Sequence, residues 1–70
     1  MPSFSDIETG DWVEIELVAS FTDDPLAGAV LRGRVQDEEK FLHEGEPVRL
    51  CLVSGFWFSN EDNILDHRKG

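Results

Sequence analysis

Cys51 is the single cysteine of the 70-residue chain, and His43 and His67 are its two histidines. A cysteine nucleophile needs a histidine within hydrogen-bond reach and usually a third group that orients the pair. Cys51 stands inside the apolar run Leu50-Cys51-Leu52, His43 lies beside a turn, and His67 falls in the charged C-terminal stretch. No spacing joins them, so Cys51 reads as a partly buried structural residue. A zinc site would need four ligands, and the chain has neither a C-x-x-C nor an H-x-x-x-H pattern. No metal and no cofactor are expected.

Carboxylates are abundant: Asp23-Asp24, Glu38-Glu39, Glu44 with Glu46, and Glu61-Asp62. General acid–base chemistry needs carboxyl groups whose pKa values are driven apart in a dry pocket. These sit among turn residues, where water solvates them. A weak cation site at Asp62-Asn63 or Asp23-Asp24 is the sharpest alternative, but no D-x-D-x-D-G loop is present, nor a glycine-rich phosphate loop. The sequence therefore predicts a protein without catalytic activity and without catalytic residues.

The aromatics and arginines are the more promising group. Trp12 shares the polar side of an alternating run with Glu14 and Glu16. Phe56 and Phe58 fall on one face of a short segment, which leaves Trp57 on the other. Trp12 and Trp57, rimmed by Arg32, Arg34 and Arg49, form the candidate interaction surface, because tryptophan and arginine are the usual anchors of binding surfaces. The same residues could stack the bases of a single-stranded nucleic acid.

Several elements must position these side chains. Val13, Ile15, Leu17 and Ala19 alternate with Trp12, Glu14, Glu16 and Val18, which is the period of a strand with one buried face. A second alternating run covers Ala29 to Gln36. Asp23-Asp24-Pro25 between them carries turn chemistry. An antiparallel pairing that sets Glu16 against Arg32 also sets Glu14 against Arg34, Val13 against Val35, Leu17 against Leu31 and Val18 against Val30, and such cross-strand pairs contribute about 0.2–1 kcal/mol each. Asp37 to Lys40 reads as a charged turn and Phe41-Leu42 as a short strand or lid. After a turn at Glu44 to Pro47, Val48, Leu50 and Leu52 alternate with Arg49, Cys51 and Val53. Ser54-Gly55 marks a bulge or tight turn, Phe56-Trp57-Phe58 a fourth strand, and Ile64-Leu65 a last short one.

No window shows a helical period. Strands punctuated by turn signals predict an all-β domain, a small antiparallel barrel or strongly bent sheet of four to six short strands, since closure removes sticky edges. The stretch GDWVEIEL (Gly10 to Leu17), followed by Gly33-Arg34-Val35, resembles small SH3-like or Sm-like barrels in size and pattern. The expected core is Val13, Ile15, Leu17, Leu31, Val35, Val48, Leu50, Leu52, Phe56 and Phe58. Residues 1–9 read as a tail packing on the domain through Phe4 and Ile7, 10–66 as a single β domain, and 67–70 as a charged end.

Fifteen acidic residues against six basic ones leave a formal charge of −9. Such a field repels polyanions and suits either an acidic surface adapted to a saline cytoplasm or docking on a basic partner. No apolar stretch is long enough for a membrane helix, and the N-terminus lacks a signal-peptide pattern, so a cytoplasmic location with no membrane partner is expected. The leading expectation is a small acidic regulatory module that binds another protein. The alternatives are a nucleic-acid-binding barrel using Arg32, Arg34, Arg49 and Trp12 or Trp57, an acidic mimic of nucleic acid that inhibits a DNA- or RNA-binding protein, and a homo-oligomer joined through a strand edge.

Overall fold

A computed structural model describes residues 3–18 and 28–70. The turn expected at Asp23-Asp24-Pro25, with the cation site suggested there, lies outside the described residues. The order of elements is a single 3-10 turn (Phe4–Asp6), then β1 (Trp12–Glu16), β2 (Val30–Arg34), β3 (Asp37–His43), β4 (Glu46–Val53), β5 (Phe56–Phe58) and β6 (Asn63–Arg68). Among the described residues there is no α-helix, in keeping with the period-two patterning.

The strands form two three-stranded antiparallel sheets, ordered β2-β1-β6 and β3-β4-β5. The expectation of a barrel or strongly bent sheet is therefore corrected: the sheets do not close on one another. The chain crosses between them once as continuous extended backbone. The Val35 N–H donates to the Asp11 carbonyl of the first sheet, and the next N–H, of Gln36, donates to the Leu52 carbonyl of the second, each at 2.8 Å. Closure would need a second such junction. It fails because β5 ends after three residues, where Ser59 enters a turn held by Asp62. Extended backbone resumes at Asn63, now beside β1.

The β1–β2 pairing is antiparallel, but displaced by two residues from the expected register. Glu14 faces Arg32, Trp12 faces Arg34, Glu16 faces Val30, Ile15 faces Leu31 and Val13 faces Gly33. A shift of two leaves every side chain on its predicted face. Neither expected charge pair forms: Glu14 pairs with Arg32 instead of Arg34, and Glu16 accepts from the Asn63 side-chain amide on β6 at 3.0 Å. The observed register also brings a residue without a side chain opposite Val13. Gly33 has φ +147°, and a Cβ there would stand 3.4 Å from Ser54 Oγ, the hydroxyl that donates to the Arg32 carbonyl.

The core lies between the sheets. Ile7, Val13, Ile15, Leu17, Val35, Cys51, Val53 and Phe58 are buried, with Phe4, Leu31 and Ile64 packed against them. Here β4 reverses the sequence reading: Cys51 and Val53 point inward, whereas Val48, Leu50 and Leu52 are only half-buried and take the opposite face. Both rows of β4 are apolar, so alternation could not choose between them. The turn chooses. Ser54 (φ 51°) and Gly55 (φ 80°) make a two-residue hairpin of the kind that demands positive φ at both positions. That hairpin sets Val53 against Phe56, Leu52 against Trp57 and Cys51 against Phe58. Once Phe58 is buried, Cys51 must be buried with it. Phe56, expected in the core, keeps 37% of its surface exposed at the sheet's end.

Glu44 (φ 52°) and Gly45 (φ 82°) close the β3–β4 hairpin in the same way. Residues 41–47 are all exposed, so this hairpin extends past the core as an arm.

Phe58→Ala should destabilise the domain by about 3–5 kcal/mol, the cost of a buried aromatic truncation. Leu52→Ala should cost about 1 kcal/mol or less. Urea unfolding of the two variants checks the orientation of β4, and the opposite ranking would show that it is reversed.

Candidate functional site

Trp12, Arg32 and Arg34 do come together. They lie on the outer face of the first sheet, with Trp12 directly opposite Arg34 and Arg32 bonded to Glu14. The structure adds a residue that the sequence reading left out. Arg68, opposite Trp12 on β6, places its guanidinium 5.2 Å from the Trp12 ring centre and pairs with Asp66 at 3.3 Å. Arg34 donates to the Gly10 carbonyl at 2.9 Å. The face alternates in sign, so most of its positive charge is answered within the sheet.

Trp57 lies elsewhere. It is 40% exposed on the outer face of the second sheet, beside Leu52. Because the inner faces of both sheets meet in one core, Trp12 and Trp57 look in opposite directions.

Arg49 joins neither tryptophan. It shares the inner face of β4 with Cys51 and Val53 and sits under the N-terminal turn. Its Nε bonds Glu38 at 2.7 Å, its two terminal nitrogens donate to the carbonyls of Phe4 and Ile7, and its guanidinium stands 5.1 Å from the Phe4 ring centre. Phe4 in turn meets Phe58 edge-on at 5.7 Å. The arginine therefore fastens residues 4–7 over the core, and its bond to Glu38 holds that carboxyl below the usual glutamate range. An open groove of about 760 Å³ runs between Phe4, the arm from His43 to Arg49, and Asn60-Glu61. Arg49, the cation in its wall, is already engaged by these acceptors.

The residues with a catalytic look are also placed. The Cys51 thiol is buried, and burial pushes its pKa up, the reverse of what activates a thiol. His43 is exposed at the end of β3. His67 is half-buried and bonds Asp11, with Nε2 2.8 Å from Oδ2. Asp11 accepts further bonds from the backbone N–H of Glu8 at 3.0 Å and of Gly70 at 3.1 Å, and Lys69 Nζ stands 3.5 Å away. These donors, His67 foremost, hold the Asp11 carboxyl far below the ordinary range. Asp62 is buried too, accepting from the N–H groups of Ser59 at 2.8 Å and Val18 at 3.0 Å. Among the described residues no group of histidine, cysteine and carboxylate side chains could hold a metal ion. Both buried aspartates serve as acceptors for backbone donors from separate parts of the chain. The only sequence cue for this was their place beside turn residues, Gly10 and Asn63.

The remaining feature is the distribution of charge. Arg32, Arg34, Arg49, Arg68 and Lys69 are all engaged by carboxylates or backbone carbonyls. Lys40 is the sixth cation, on β3 near Glu38. Among the described residues Glu39, Glu44 and Glu46 of the arm make no ion pair, and all three are exposed. No family model, curated protein or solved structure matches the chain.

Acid should loosen the Asp11 clasp. A carboxyl whose folded pKa is depressed adds stability above its unfolded value, here about 3.8, and loses it as pH falls through the folded one. The melting temperature should therefore drop progressively below about pH 4. Asp11→Asn should melt several degrees lower near neutrality and show a flatter acid limb in thermal melts. An unchanged acid limb would place the effect elsewhere.

Proposed function

We propose that the protein is a non-catalytic acidic interaction module that docks on a basic surface of another protein. The observation that carries this reading is the uncompensated charge of the β3–β4 arm. Among the described residues, Asp37, Glu39, Glu44 and Glu46 lie on it without an ion pair, beside Lys40, while Glu38 is paired with the inward-turned Arg49. Elsewhere five of the six cations are drawn into bonds with carboxylates or carbonyls, and the exposed carboxylates of this hairpin are left with little positive charge beside them. A projecting acidic arm steers a basic partner toward it and repels polyanions.

Exposed charges about a Debye length apart are screened near 0.1 M salt, a length of about 10 Å. Binding should weaken as salt rises. The triple variant Glu39→Lys, Glu44→Lys, Glu46→Lys changes only exposed residues, so it should fold normally and associate about tenfold more slowly at low salt. Nuclease-treated capture from cell extract, followed by surface plasmon resonance with the recovered protein, measures this. Recovery of no protein at low salt, or equal capture by the triple variant, would overturn the reading.

A further inference from the structure

We infer that the outer face of the β3-β4-β5 sheet is the contact surface for that basic partner, whose apolar side chains cover Trp57 and the leucines beside it while its lysines or arginines meet the flanking carboxylates. The inference rests on the proposed docking role and adds to it the place and the chemistry of contact. In an antiparallel sheet, directly opposed residues share a face. Leu52 opposes Trp57 on one side and Asp37 on the other, Leu50 opposes Glu39, and Val48 opposes Phe41. One row of side chains thus carries phenylalanine, valine, two leucines and tryptophan across three strands. The core does not use that row, because Cys51, Val53 and Phe58 fill it from the opposite face. Trp57 and Phe41 remain 40% and 37% exposed. A contiguous apolar patch that includes an exposed tryptophan is a usual composition of a protein contact.

Charge chooses the occupant. Asp37 and Glu39 stand in the same row, bordering Leu52 and Leu50 along the β3 edge. A second copy meeting this face would bring the same carboxylates and no lysine or arginine in that row to answer them. A phosphate backbone or an anionic lipid surface would meet the same carboxylates. A protein segment with apolar residues at its centre and lysine or arginine beside them satisfies both parts of the face.

The test compares two probes on the intact protein at low salt. One is poly-L-lysine, which carries charge alone. The other is a short peptide in which pairs of valines and pairs of lysines alternate, so that each face of an extended conformation presents both. Binding is followed by the two indole N–H resonances in nitrogen-15 spectra, assigned with Trp57→Phe. The alternating peptide should bind about tenfold or more tightly than poly-lysine per residue. It should shift the Trp57 resonance and leave that of Trp12, on the far side, in place. Leu50→Ser with Leu52→Ser should abolish the difference between probes while the melting transition stays cooperative. Equal binding of both probes, or a Trp57 resonance that does not move, would overturn the inference and leave the acidic docking role standing. Failure of both probes to bind would remove the docking role as well. A concentration-dependent dimer in sedimentation, with Trp57 shifted in the absence of peptide, would assign the face to a second copy and overturn the inference.

Discussion

The Asp11 carboxylate ties the segment entering β1 to the C-terminal segment. It takes the Glu8 N–H from the segment entering β1, and the His67 ring and the Gly70 N–H from the segment leaving β6. A buried carboxylate is costly unless its oxygens are fully occupied, and here the donors that occupy them come from two segments far apart in sequence. At the other end of β6, Asp62 plays the same part, accepting from Ser59 and from Val18 just past β1. The third strand of the first sheet is thus bracketed by two buried acids. Without β6 that sheet would be the two-stranded ribbon β1–β2, which is marginal in water.

This arrangement explains how the fold holds together with eight buried apolar side chains among the described residues. Small domains often rely on disulfides or metals for cross-linking. Here long-range polar contacts join segments far apart in sequence, with Arg49 reaching back to Phe4 and Ile7 as Asp11 reaches forward to Gly70. Their cost is that several charged groups are committed to architecture. The free charge on the arm is visible only after those commitments are subtracted.

The alternation of Val13, Ile15 and Leu17 against Trp12, Glu14 and Glu16 was legible, and so was the outward turn of Trp57 between two phenylalanines. The register of the first hairpin was legible only to within two residues, because opposite charges at 14, 16, 32 and 34 satisfy two even registers and the connecting segment does not fix one. The face of β4 was misread for a different reason. Leu50 and Leu52 alternate with a row that holds Arg49 and Cys51, so hydropathy alone favours the row that the fold leaves half-buried. The positive-φ pair at Ser54-Gly55 ties residue 51 to residue 58, so a two-residue reading of that turn would have placed Cys51 inside. The role of Arg49 could not be read at all, since it depends on residues 4–7 folding over a strand more than forty positions away. The openness of the sheets was hidden similarly: strand count and turn spacing are alike for a closed barrel and for two sheets sharing one crossover.

The β3–β4 hairpin has a tip, residues 41–47, that adds nothing to the interior. Its shape is set by the Glu44-Gly45 turn and by cross-strand hydrogen bonding, neither of which depends on which side chains occupy the remaining positions. Selection can therefore rewrite those positions freely without unfolding the body. A lineage could trade one binding preference for another at the tip while the scaffold beneath it stays the same.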